Sequence, residues 1–146
     1  MKRLAIAFVV LALASGVALA DDKAECDFLE IGASVSKPAS LPDELKPLEK
    51  KLQQPPLSSY SVFALESKGH VQLAKLKPDA LKIVRGHATV LLRDRHDKRI
   101  ELTMTLDDAK GKRVLESKQS VSAGDWNVWV HSDGPSSGHI IALMCK

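Results

Sequence analysis

Apolar and polar residues alternate with a period of two through most of the chain beyond residue 60, and that period belongs to strands. The clearest case is Arg99–Leu106, where Ile100, Leu102, Met104 and Leu106 point one way and Glu101, Thr103 and Thr105 the other. This is the pattern of a half-buried antiparallel strand. Similar segments lie at 60–66, 69–76, 79–85, 87–93, 113–121 and 125–131. Near the start, 26–35 reads as a strand with Leu29, Ile31, Ala33 and Val35 on one face. The segment 138–145 is apolar at successive positions, so both of its faces need cover and it is expected at the centre of a sheet.

Glycine or Asx residues mark the reversals at Arg85-Gly86, Asp107–Lys112, Ala123–Asp125 and Ser132–Gly138. The interval 37–56 breaks the strand rhythm with five prolines and dense charge. Within it Leu41, Leu45, Leu48 and Leu52 recur at helical spacing, acids come early and lysines late, as a helix dipole favours, and Pro55-Pro56 closes the segment. These elements predict an all-β antiparallel sandwich of about 7–9 strands with one short helix in its N-terminal half. An amphipathic membrane segment is the lesser reading of 37–56, because it is short and balanced in charge.

The first 20 residues follow a different pattern. Lys2 and Arg3 precede an apolar run from Leu4 to Ala14, and small residues follow, ending at Ala18 and Ala20. That is the layout of a signal peptide, with cleavage expected after Ala20 and a single domain over 21–146. An uncleaved anchor is the alternative, but the run is short for a bilayer span of about 20 residues. No cysteine sits at the cleavage point to accept a lipid. The expected location is therefore periplasmic or extracellular, in a bacterium, with no stable membrane insertion.

Composition modifies this picture in three ways. The 146 residues carry a formal charge of +3, but two of the basic residues belong to the leader. The rest is dipolar, with 9 acidic and 5 basic residues over 21–66 against 7 acidic and 13 basic over 68–118. General polyanion binding loses most of its support. Secondly, there are two cysteines, Cys26 and Cys145, near the two ends of the exported chain. An oxidising compartment favours a bond between them, which would bring the first and last strands together; two free thiols or an intermolecular bond are the competing arrangements. Thirdly, aromatic residues make up only 4% of the chain, so each one counts.

Trp126, Val128 and Val130 share one strand face and read as core, leaving Trp129 beside Asn127 and His131 on the other. Trp129 with His131 is thus the leading candidate contact for a partner, with cover by the helix or a loop as the plain alternative. The charged run Arg93–Arg99 reads as a hairpin tip; Arg93 and Arg95 are speculative contacts for an anionic partner. It has no neighbouring aromatic residue to stack on bases, so no nucleic-acid partner is expected. His70, His87 and His139 each follow a glycine at a predicted strand start, and could converge on a small ligand or metal. No metal motif, nucleophile elbow or phosphate-binding glycine loop is present, and Asp107-Asp108 reads as a bend. No catalytic residue, metal ligand or cofactor is assigned.

The combination of Cys26, the Pro42–Pro56 segment, the 106–115 hairpin and Cys145 resembles a family of uncharacterised small exported bacterial proteins with β-rich bodies. The resemblance brings no activity with it. The Ser120–Trp126 block and its closing strand resemble hairpins of outer-membrane secretin domains, which implies a role in an envelope complex. The expected function is non-enzymatic binding of another cell-envelope or secreted protein. A small-ligand or metal-binding module built on the strand-end histidines is the alternative.

Overall fold

The computed structural model describes residues 22–146; the leader and its cleavage point lie outside the described residues. Eight strands form two antiparallel sheets, as the alternating pattern requires. The first sheet contains β1 (Lys23–Ser34), β2 (Val62–Ala74), β7 (Trp126–Gly134) and β8 (Ser137–Cys145), in the order β2-β1-β8-β7. The second contains β3 (Asp79–Leu81), β4 (His87–His96), β5 (Arg99–Asp107) and β6 (Arg113–Ser122), in sequence order. Between β1 and β2 lie a 3₁₀ turn at Asp43–Leu48, the single-turn helix α1 (Glu49–Leu52) and a second 3₁₀ turn at Leu57–Ser59. Pro47 sits inside the first of these, and the predicted helix is accordingly broken into pieces.

Two apolar clusters stabilise the arrangement. The larger lies between the sheets and includes Phe28, Leu73, Val90, Leu92, Ile100, Leu102, Met104, Ile141 and Leu143. The second lies on the outer face of the first sheet, where Leu45, Leu48, Leu52 and Leu57 of the helical segment cover Ile31, Ala33, Phe63, Ile140 and Ala142. This explains the unbroken apolar run of β8. It sits between β1 and β7 with one face against each cluster, and Ile140 to Leu143 are all buried.

The two segments expected as separate strands at 60–66 and 69–76 are one strand, β2. Gly69 does not turn the chain: it lies opposite Phe28 in the β1 pairing, and a Cβ there would press 2.7 Å from the Phe28 ring. Glycine leaves room for the aromatic ring to lie across the neighbouring strand. The 79–85 segment keeps only three residues of strand; its remainder follows another path, described below.

Cys26 and Cys145 are disulfide-bonded and directly paired in the β1–β8 ladder, with their Cα atoms 4.0 Å apart. The bond closes a sequence separation of 119 residues and joins the central strands of the first sheet. Replacing both cysteines by serine is expected to lower the unfolding free energy by about 4–5 kcal/mol, from the restored freedom of the unfolded chain. Urea denaturation without reductant measures this, and a loss below about 1 kcal/mol would show that strand pairing alone constrains the ends.

Candidate binding cleft

Among the described residues Glu30 is the buried carboxylate. In β1 it continues the inward row of Cys26 and Phe28, and its side chain has 0% exposure. The apolar row of Leu29 and Ile31 marks the other face of this strand; the usable signal for Glu30 is that its own row begins with a cysteine and a phenylalanine. Burying a carboxylate is costly unless its lone pairs are filled. Here Oε1 accepts from the Ser67 hydroxyl at 2.8 Å and the Val84 amide at 2.7 Å. Oε2 accepts from the Arg85 amide at 3.1 Å and His139 Nε2 at 2.7 Å. Burial alone would raise the pKa of Glu30, but the two amides, Ser67 and His139 together outweigh it and hold the group below its ordinary value of 4.5.

These donors come from three places: β2, β8 and the connector leading into β4. The connector leaves strand geometry after Leu81 and turns its amides onto the first sheet. Gly86 completes the turn with φ +71°, and its α-carbon lies so close to the Asp107 carbonyl that no side chain fits. Arg85 then reaches outward, donating from Nε to Glu66 and from Nη1 to Asp133, both at 2.8 Å. Glu66 is the extra residue of an irregularity in the β1–β2 pairing between Glu30 and Ile31, and its carboxylate lies over Gly32, where a Cβ would collide with it. Asp133 also accepts from the Ser137 hydroxyl at 2.6 Å. Burial raises its pKa, but Ser137 and Arg85 more than offset this and hold it low.

Around this knot the ends of the sheets leave a cleft of about 560 Å³, within the size range of small-ligand sites. Its lining includes Arg85, Asp107, Asp108, His131, Asp133 and His139. His131 stands directly opposite His139 in the β7–β8 pairing, so the two imidazoles share a face. Asp108 is occupied by its turn, accepting from the Lys110 and Lys112 amides at 2.9 Å each. The amide of Lys112, its own burial and that of Lys110 set its balance, which is a lowered pKa. Asp107 is paired with Arg113.

The sequence-based candidates fare unevenly. Trp129 does not present an exposed face: it has 5% exposure and belongs to the inter-sheet core. The apolar row Trp126, Val128 and Val130 lies on the opposite, outer face beside the second cluster. The expectation was inverted because this sheet carries apolar rows on both faces, so the more apolar row did not identify the main core. Arg95 is also no free contact. Its Nη1 donates to the carbonyls of Lys23 and Lys146, at 2.9 Å each, and its Nε to that of Asp97, tying the β4–β5 hairpin to the two ends of the described chain. Arg93 is partly buried, with an Nε that has no partner among the described residues. His70, His87 and His139 do not form one group. His70 lies within β2 and pairs with Asp27, His87 opens β4 in solvent, and His139 turns inward to Glu30.

Searches against protein-family models, curated proteins and solved structures find no match to this chain. The class defined by its coordinates is an all-β antiparallel sandwich with an internal disulfide. Among the described residues no helix is long and apolar enough to cross a membrane.

Replacing Glu30 by glutamine keeps the volume but removes the charge and turns an amide N–H₂ toward groups that donate. The expected loss is about 3–5 kcal/mol near neutral pH. Since the folded pKa lies below the unfolded one, the stabilisation is present above pH 4.5 and disappears as pH falls through the folded value. Wild type and variant stabilities, followed by denaturant unfolding, should therefore converge in acid; a constant gap from neutral to strongly acidic pH would contradict the assignment.

Proposed function

We propose that the protein is an exported, non-enzymatic β-sandwich that binds another cell-envelope or secreted protein by strand addition along β7. The observation that carries this reading is the difference between β7 and the other sheet edges. A free edge offers unpaired backbone groups, and folded proteins usually guard it with charge, bulges or brevity. The edge strand β3 has only three residues. β6 carries Arg113, Glu116 and Lys118, while β2 carries Glu66, Lys68 and the irregularity at Glu66. By contrast, Trp126–His131 contains no Asp, Glu, Lys, Arg or Pro, and its irregularity falls beyond Ser132.

The outer row of β7 adds side-chain recognition to the backbone edge. Trp126, Val128 and Val130 are only half-buried beside the helical segment. An incoming strand with apolar residues at alternate positions would extend that cover, with main-chain bonds supplying affinity and the row supplying register. A non-enzymatic role is supported by the commitments of the charged groups in and behind the cleft: Arg85 and Asp108 in its lining and the buried Glu30 are each taken up by internal hydrogen bonds. The disulfide fits an oxidising compartment.

A photo-cross-linking residue placed at Val128 in cells of the source organism tests this. The expected result is a discrete adduct with one protein, lost when Val130→Lys is added, and absent when the same group replaces Thr105 on the other sheet. No adduct at Val128, or the same adducts from both positions, would overturn the reading.

A further inference from the structure

We infer that Glu30, Glu66 and His139 form a binding site for one divalent transition-metal ion, of which Zn²⁺ is the representative probe. One ligand atom from each of the three side chains lies within 4.8 Å of the others, and two of the three residues are buried. One imidazole and two carboxylates are the donor set suited to zinc and its first-row neighbours, with water from the cleft completing the coordination. This inference is independent of strand addition at β7.

The surroundings of Glu30 are those of an oriented ligand. Ser67 and the amides of Val84 and Arg85 take three of its four acceptor positions, fixing the carboxylate plane. The fourth position is filled by the proton on His139 Nε2, the one element of the knot that an ion can replace. On binding, the neutral imidazole takes the tautomer that carries its proton on Nδ1, and Nε2 and Oε2 become ligands to the same ion. Glu66 reaches the site from the irregular position in β2, and its present partner can give way. Arg85 is partly exposed and already holds Asp133 with its Nη1, so releasing Glu66 does not strand the guanidinium. His131, directly across from His139, stands on the open side of the site.

Two carboxylates converging on a buried histidine also make electrostatic sense around a dication, whose charge balances both. The exposed histidine–aspartate pairs, His70 with Asp27 and His96 with Asp94, lack a third ligand within the same reach among the described residues and serve as controls.

The test is titration of the full exported chain with Zn²⁺ by calorimetry, and with Co²⁺ by visible absorption, near neutral pH. One ion per chain is expected, with a tetrahedral or five-coordinate Co²⁺ spectrum and a rise in thermal midpoint. Glu66→Gln, which leaves the buried Glu30–His139 pair in place, should weaken affinity by about tenfold or more. His70→Ala and His96→Ala should leave it unchanged. Absence of saturable binding by the wild type would overturn the inference. So would undiminished binding by folded Glu66→Gln, or loss of binding in either surface-histidine variant, which would identify an adventitious surface ion only.

Discussion

A single carboxylate, buried in β1 and hydrogen-bonded on all sides, sets the geometry of one end of this sandwich. Glu30 cannot be left unsatisfied in an apolar interior, so every group that bonds to it is constrained. Ser67 fixes β2, His139 fixes β8, and the amides of Val84 and Arg85 fix the connector between the two sheets. The early end of β3 as a strand, the outward throw of Arg85 and the existence of the cleft all follow from that connector turning toward Glu30. At the opposite end of β1, the disulfide secures the same pair of central strands covalently. The sheet is thus fixed near one end by charge and near the other by sulfur.

The helical segment determines what remains available outside. By covering part of the outer face of the first sheet, it buries most of β8 and leaves β7 with apolar side chains on both faces. Its cover is incomplete over Trp126, Val128 and Val130. The unguarded edge and the half-covered row therefore coincide on the same strand, which is why partner binding is proposed there rather than at Trp129. The cleft, with its histidines and carboxylates, is a separate feature at the sheet ends.

Much of the fold was legible from residue patterns. The two-residue period of 99–106, the double-sided apolar character of 138–145 and the placement of Cys26 and Cys145 lead to the observed sandwich, its central strand and its disulfide. The site was far less legible. Glu30 does not stand out because Leu29 and Ile31 form an apolar row beside it, and alternation cannot distinguish the two faces of a sheet covered on both. Trp129 was misplaced for the same reason. The segments 60–66 and 69–76 read as two strands because local sequence does not show that Phe28, more than forty residues from Gly69 in sequence, needs the space beside that glycine. Arg95 looked available because its acceptors are main-chain carbonyls at the two ends of the described chain, which carry no side-chain signature. Long-range contacts made the difference in each case.

This end of the sandwich depends most on Glu30 being a charged, saturated group in the folded protein. The direct measurement is an NMR titration of its side-chain carboxyl carbon in protein labelled with ¹³C at glutamate and kept free of metal by chelator. The structure predicts a midpoint below the ordinary 4.5, because four donors outweigh the cost of burial. A midpoint above 4.5 would mean that burial prevails, that the carboxyl protonates before its neighbours release it, and that the knot organising this end of the molecule is not held by charge.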